Sequence, residues 1–405
     1  NDLFSLSILF ERGSRTERAL CAAVDLLTLS GAGPYSADEF KKKLFALGTS
    51  LSYSCGEQST AIHLSGLDRN LWASLELMTQ RFDWPNIEDG TLKKMIEVEL
   101  GAREDEKKNP GAVHHALGQF AARGQDSSVL KRLSNNEFKA LKEPNLKALI
   151  RDFVLHPSRI AYVGNRSPRE IGKLLASDRR LRDTPARVPL KLLRPASPRV
   201  LFTHRDMVQA QVGLFAADET FDPEHVVDYY FYSEYMGGDM SSVIFQEVRE
   251  SRALAYSASG GHTATADKGD DTQLWGRLGC QADKTPEAVK LMESLFQDFP
   301  ASEKRFHETA KSIEESYRTS PVSFRSAPWT VIGWEDQGLT GGDPGPERFK
   351  RTLSYTLPKL KAFAERFKKK PLTVWILGHR DRVGLDQLKT LGKFEEQPLE
   401  ALFPY

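Results

Sequence analysis

The pattern of apolar and polar positions along the chain predicts a mixture of helices and strands. Residues 50–65 alternate polar and apolar side chains, which predicts a β-hairpin. Ser36 and Glu39 form the Ser-x-x-Glu signature of a capping box before a helix. A second helix is predicted at residues 71–82, where apolar residues recur four, three and four positions apart. Helices and strands in separate runs indicate the α+β class, with helices packed against largely antiparallel sheets.

The chain contains an internal repeat. Residues 144–164 align without a gap with residues 358–378, and each segment reads as a Pro-started helix followed by a strand that ends in Gly. The identical pairs are Pro144/Pro358, Leu146/Leu360, Lys147/Lys361, Ala148/Ala362, Phe153/Phe367, Pro157/Pro371 and Gly164/Gly378. We therefore predict two homologous domains of about 200 residues each. They are placed at 1–180 and 200–405, with a linker at 181–199 that is rich in Arg, Pro and Lys.

The composition argues against some classes of function. Lys and Arg number 56 and Asp and Glu number 55 in the 405 residues, a balance that argues against a nucleic-acid-binding protein. No uninterrupted apolar run is long enough to span a membrane as a helix. The cysteines, Cys21, Cys55 and Cys280, are few and far apart, and predict neither a disulfide framework nor a metal-binding pair. The chain opens at Asn1 in a strand-like run, so we expect that an upstream segment has been removed or left out.

The segment at residues 235–256 is the clearest candidate for a functional site. It contains a Gly-Gly turn, a capping Asp, a buried apolar stripe, an Arg near the end of the predicted helix and a Tyr seven residues later: Gly237, Gly238, Asp239, Val243, Ile244, Val248, Arg249 and Tyr256. An Arg fork and a phenol hydroxyl can together hold a peptide carbonyl, a carboxylate or a developing oxyanion. From residue types alone, the alternative is a structural Arg that pairs with Glu247 or Glu250 beside a Tyr in the sheet.

This segment resembles the second-domain signature of the M16 (pitrilysin-like and insulinase-like) zinc peptidases. The matching residues read GGDMSSVIFQEVRESRALAY, and residues 10–15, FERGSR, resemble the strand and turn before the zinc helix of that family. The resemblance implies two homologous α+β halves. It also implies that Arg249 and Tyr256 contact the substrate backbone and the oxyanion of the reaction.

The resemblance fails at the zinc site. The family has a His-x-x-Glu-His motif on its first long helix and a distal Glu. Anchored on Gly31-Ala32, the five motif positions here read AAVDL, and the distal position falls near Ala102. Ala22 and Leu26 cannot coordinate zinc, and Asp25, at the position of the base, has no metal-bound water to activate. We therefore expect no metal and no catalytic residue in this chain alone.

Three other charged groups are interpreted as structural. The neighbours His114 and His115 point in different directions on a helix, so one should be buried and one exposed. The acidic loop of Asp267, Asp270 and Asp271 is predicted to be a solvated turn. The basic residues at 366–370 are predicted to be a solvated helix end, with contact to anionic lipid as the alternative.

The resemblance thus predicts a non-catalytic M16-like subunit. Zinc would come from a partner, either a zinc-bearing M16-like subunit or the N-terminal half of a longer chain. The substrates would be peptides or partly unfolded proteins. One alternative is a structural scaffold similar to the core proteins of respiratory complexes, without a peptidase role. Another is a metallopeptidase with an unrecognised site. The sequence leaves the compartment open, with bacterial periplasm and cytoplasm as the options.

Overall fold

The computed structural model describes residues 2–175, 181–183 and 186–405. The first half contains, in chain order, β1 Leu3–Phe10, α1 Leu20–Thr28, β2 Gly31–Ala32, α2 Ala37–Ala46, β3 Ser50–Cys55, β4 Thr60–Leu67, α3 Leu71–Asp83, β5 Pro85–Asn86, α4 Thr91–Lys108, α5 Pro110–Arg123, α6 Asn135–Lys139, α7 Glu143–Phe153, β6 Ser158–Val163 and α8 Pro168–Leu175. The second half contains β7 Arg199–His204, β8 Gln209–Thr220, α9 Val226–Gly237, β9 Ala255–His262, β10 Asp271–Gln281, α10 Thr285–Gln297, α11 Glu303–Thr319, α12 Ala327–Asp336, α13 Gly345–Leu353, α14 Leu357–Ala364, β11 Thr373–Gly378, α15 Leu385–Leu388 and β12 Lys393–Glu396.

Each half has its own main sheet. The first sheet has the strand order β3-β4-β1-β6, and all its pairs are antiparallel. The second has the order β12-β7-β11-β8-β10-β9, in which only the pairs made by β7 are parallel. The α+β class with largely antiparallel sheets is therefore confirmed.

The internal repeat corresponds to a repeat of topology. The order β3-β4-β1-β6 of the first sheet recurs as β9-β10-β8-β11 in the second. The repeated sequence segments form α7 and β6 in one half and α14 and β11 in the other, with Pro in the first turn of both helices. The duplication is thus visible in strand order as well as in the residues that begin each helix.

The local predictions in the first half agree with the structure. Ser36 and Glu39 form a capping box at α2, with the Glu39 amide donating to the Ser36 hydroxyl over 3.2 Å. The predicted hairpin is β3 and β4, and the predicted helix is α3, which buries Leu71, Leu75, Met78 and Phe82. Burying such side chains contributes roughly 1.5–3 kcal/mol each.

Each half contributes a helix that packs against the main sheet of the other half. Helix α5 of the first half packs on the second sheet through Val113 and Leu117. The indole of Trp375 on β11 lies between Gly118 on α5 and Gly213 on β8, where a Cβ would come within 2.9 Å and 2.0 Å of it. In return, α12 of the second half reaches the first sheet, where Asp336 lies 2.7 Å from the guanidinium of Arg159 on β6.

The acidic loop is not a solvated turn, so that prediction is wrong. Asp270 and Asp271 are buried and accept the backbone amides of Leu190 and Leu192 in the predicted linker. Their carboxylates also pair with three linker cations, Arg187, Lys191 and Arg194. Because the linker supplies these cations, the loop fixes the linker against the second sheet. Residues 176–180 of the first predicted domain, and residues 184 and 185 of the linker, lie outside the described residues.

The basic helix end is only partly solvated, so that prediction also needs correction. Arg366 and Lys370 turn inward to the carboxylate of Asp218, whose side chain is fully buried. His262 Nε2 lies 3.0 Å from the same carboxylate, and Lys368 and Lys369 remain exposed. These contacts hold the pKa of Asp218 well below its usual range against the opposing effect of burial. Among the described residues, no helix has both the length and the apolar character needed to cross a bilayer.

The Trp375 contact gives a stability prediction. Gly213→Ala should lower the free energy of unfolding by about 1–3 kcal/mol or more, because the new methyl overlaps the indole. Gly101→Ala is the control, since Gly101 lies in α4 with nothing within 4 Å of its Cβ position. That change should stabilise by roughly 0.5–1 kcal/mol through helix propensity. Chemical denaturation measures both, and equal stability of the two variants would contradict the contact.

Candidate functional site: an exposed Arg–Tyr pair and a cleft in the first half

The predicted Gly-Gly turn lies at the end of α9, where the helix meets β9. A Cβ on Gly237 would come within 2.1 Å of the Gly260 carbonyl oxygen, so glycine allows this close approach of helix and strand. Asp239 caps the next segment, with its carboxylate accepting the Ser241 amide over 2.7 Å. The predicted helix that follows includes a π-helical stretch, Phe245–Glu250, which carries Arg249.

The backbone between Arg249 and Tyr256 is irregular. Ala253 adopts φ +48°, a left-handed conformation that costs energy for a residue with a Cβ. Ser257 pairs with Gly279 and Ala255 pairs with Cys280, so Tyr256 is the additional residue of a β-bulge. A bulge turns a side chain away from the regular alternation of a strand. The tyrosine ring is accordingly 79% exposed.

The Arg–Tyr pair is open to a ligand. The Arg249 guanidinium carbon lies 5.9 Å from the centre of the Tyr256 ring and 4.8 Å from that of Phe245. Arg249 has one carboxylate neighbour, Glu250 at 3.5 Å, and both side chains are about half exposed. Such a surface pair contributes little energy, so the guanidinium can exchange it for a ligand. β9 is also the terminal strand of its sheet, which leaves a strand edge beside the pair.

The degenerate zinc-motif positions are divided between a cleft, the core and the surface. Ala22 and Asp25 line a cleft of about 400 Å³ in the first half. Leu26 is fully buried in the core, and Ala102 is exposed outside the cleft wall. Among the described residues, no group of three or more His, Cys, Asp or Glu side chains is arranged to hold a metal ion.

A buried arginine supplies positive charge in this cleft. Arg103 donates to Glu99 over 2.9 Å, to the Leu133 carbonyl over 2.9 Å and to Asn135 over 3.0 Å. Asp25 is exposed at the cleft, and its carboxyl group makes no hydrogen bond or salt bridge with a described residue. The cleft walls desolvate its carboxyl and Glu99 adds negative charge, and both effects raise the pKa of Asp25.

The prediction that the cysteines form no disulfide is wrong. Cys21 on α1 and Cys55 on β3 are bonded at the same cleft, with their Cα atoms 5.3 Å apart, while Cys280 is free and buried. Sequence reasoning missed this pair because 34 positions separate the two cysteines. The available signal was that Cys21 lies next to a degenerate motif position and Cys55 at the end of a predicted hairpin strand. Of the two neighbouring histidines, His114 is partly buried and His115 is exposed.

The repeated sheet topology, the exposed Arg–Tyr pair and the cleft beside Ala22 and Asp25 together indicate a peptidase-like protein. Residues 158–311 match the family model described as the Peptidase M16 inactive domain. Over this segment the chain is similar to the M16 peptidase family. It is 25% identical over 296 residues to "Uncharacterized zinc protease YmxG" from Bacillus subtilis (strain 168), a match that covers 71% of this chain and 68% of that protein.

Solved structures share the fold at low sequence identity. The peptidase M16 inactive domain from Pseudomonas fluorescens superposes with a TM-score of 0.74 at 16% identity, covering 93% of each chain. The periplasmic protease PqqL from Escherichia coli superposes with a TM-score of 0.73 at 15% identity, covering 94% of this chain. The chain spans 43% of the PqqL structure, so the fold of this protein corresponds to less than half of that larger protease.

The disulfide gives a second stability prediction. Replacing Cys21 and Cys55 by Ser should lower the free energy of unfolding by about 3–4 kcal/mol, because the bond closes a loop spanning 34 positions. Denaturation of the oxidised protein measures the effect, and reduced wild-type protein is the matched control that should behave like the double variant. Wild-type protein with the same denaturation midpoint in the presence and absence of reductant would contradict it.

Proposed function

We propose that this chain is a non-catalytic M16 subunit that works with a zinc-bearing M16 partner, or with the N-terminal half of a longer chain. The partner binds zinc and activates the water. This chain contributes Arg249 and Tyr256, which contact the substrate backbone and the developing oxyanion. The observation that carries the proposal is the contrast between an open, irregularly built Arg–Tyr pair and a first half in which Ala22, Asp25 and Leu26 hold the positions of the zinc motif.

The electrostatics of the pair suit this role. A guanidinium and a phenol hydroxyl are donors that strengthen their hydrogen bonds as negative charge develops on the attacked carbonyl oxygen. Neither can generate a nucleophile from water, a step that zinc performs by lowering the pKa of its bound water. One polypeptide can therefore activate the water while the other stabilises the oxyanion, provided that both contact the same scissile peptide bond of the substrate.

The substrates we propose are peptides or partly unfolded proteins. Their extended backbone would add to the edge of β9, next to Tyr256. Main-chain pairing at a strand edge recognises extended backbone and does not require one particular side chain. Folded domains, whose strands are already paired, would be excluded.

The disulfide favours an oxidising compartment over the cytoplasm. Disulfides form and persist in exported proteins and are rare in the reducing cytosol. Of the two compartments that the sequence leaves open, we therefore propose the bacterial periplasm. The location of PqqL, a periplasmic protease, is consistent with this choice.

The isolated chain should bind no stoichiometric zinc and should not hydrolyse peptides. Ala22 and Leu26 offer no donor atoms, and Arg103 already occupies the cleft with positive charge. Metal analysis after dialysis, combined with a peptidase assay of the chain alone, checks this. A purified partner with an intact His-x-x-Glu-His motif is the positive control. One zinc per chain together with turnover would reveal a metallopeptidase site and overturn the proposal.

Within the complex, Arg249→Ala and Tyr256→Phe should each lower kcat about 10²-fold or more, the loss expected for an oxyanion donor. Arg252→Ala is the matched control, because Arg252 is also exposed and lies three positions from Arg249. Steady-state kinetics of the reconstituted complex gives the result, and melting temperatures show that each variant is folded. Unchanged kcat in both test variants would favour the scaffold role.

A further inference from the structure

A second pocket lies where α5 of the first half meets the second sheet. It has a volume of about 230 Å³, and its polar lining residues are His114, His115, Gln119, Gln273 and Arg277. The indole of Trp375 forms one wall. Among the described residues, no Asp or Glu lines this pocket, although carboxylates neutralise most of the other arginines near the junction of the two halves.

Arg277 has no partner for its charge. Its exposed side chain makes no hydrogen bond and no salt bridge with any described residue, and its guanidinium carbon lies 5.9 Å from the ring of Trp275. On β8, the residue opposite Arg277 is Gly213, which has no side chain and lies beneath the indole of Trp375. Arg277 therefore lines the pocket beside the indole, and no carboxylate of a described residue lies opposite it.

Two further polar atoms in the pocket wall lack partners. His114 Nε2 and Trp375 Nε1 are both buried without a hydrogen bond, and their rings lie 5.8 Å apart. The indole N–H of Trp375 can only donate, so a ligand that accepts a hydrogen bond here would satisfy a buried group that is otherwise unpaired. Burial, followed by repulsion from Arg277 and His115, lowers the pKa of His114 to about 4, as expected in a positively charged environment without a counter-ion.

We propose that this pocket binds the carboxylate of the C-terminal residue of a peptide. The inference rests on the proposed function, because it assigns one end of the same peptide substrates. Arg277 pairs across the sheet with Ser259, which follows Tyr256 by three residues on β9. That separation is about 10 Å along the strand, which an extended peptide spans with roughly three residues. Because neighbouring strands lie about 4.8 Å apart, a peptide on the β9 edge would run roughly 10 Å from β10, so its last residues would turn across β9 to bring the C-terminus to Arg277.

The test compares two peptides that differ only in the terminal charge. Acetyl-tetraalanine with a free carboxylate should bind the full chain about 10-fold or more tightly than its C-terminal amide, by calorimetry up to about 10 mM peptide. Arg277→Gln should reduce the affinity for the acid to that for the amide and leave the amide unchanged. Arg382→Gln, at an exposed arginine outside the pocket, is the control and should change neither affinity.

Equal affinity of wild-type protein for the acid and the amide would overturn the assignment. So would acetate alone binding as tightly as the acid, since the pocket would then hold free carboxylates and not peptide ends. Because wild-type protein with the two peptides decides these outcomes, the test does not depend on the folding of a variant. A negative result here leaves the effect of Arg249 and Tyr256 on turnover untouched, so the two proposals can fail separately.

Discussion

The insertion of Trp375 between the two halves is the contact on which the rest of the molecule depends. Its indole fills the space that Gly118 on α5 and Gly213 on β8 leave open. Helix α5 is fixed there, and α4 precedes it directly through Asn109, which caps α5. Since α4 carries Arg103, one aromatic side chain links the second sheet to the cleft of the first half. The same insertion leaves Arg277 without a side chain opposite it on β8.

The Arg–Tyr segment departs from regular structure three times within twelve residues. A π-helical stretch, a left-handed Ala253 and a bulge at Tyr256 follow one another. Each departure has an energetic cost, and the packing beneath the segment has to offset it. Val248 and Leu254 provide that packing, because both are buried in the second core and the Leu254 amide donates to the Val248 carbonyl over 3.0 Å. The core thus fixes a backbone path that leaves both functional side chains at the surface.

Local signals were sufficient to predict the fold class and the duplication. A capping box or a Pro in the first turn of a helix acts within a few residues, so its sequence signature is direct. The repeat was visible because equivalent helix–strand units, such as α7–β6 and α14–β11, kept the same spacing. The segment that carries Arg249 and Tyr256 was found by resemblance, but nothing in its residues indicated the bulge or the left-handed Ala253.

The errors share a physical cause, which is pairing between residues distant in sequence. Cys21 and Cys55 come together only because α1 packs beside β3. Asp270 and Asp271 look like a solvated turn until the linker cations reach them. Arg366 likewise turns inward because Asp218 lies buried at the end of β8. A sequence gives the charge of each group but not the distant group that neutralises it.

The fold around the cleft is kept although Ala22 and Leu26 stand at the two positions where the M16 zinc motif has histidine. Two contributions of a bound metal are a fixed positive charge and a cross-link between elements. Here Arg103 supplies a buried positive charge, and the bond between Cys21 and Cys55 links α1 to β3. The charge of Arg103 is paired with Glu99 over 2.9 Å, and neither a guanidinium nor a disulfide can ionise water. In the function we propose, Asp25 therefore stands at the position of the base without a nucleophile to activate, and the donors at Arg249 and Tyr256 act on a reaction that the partner begins.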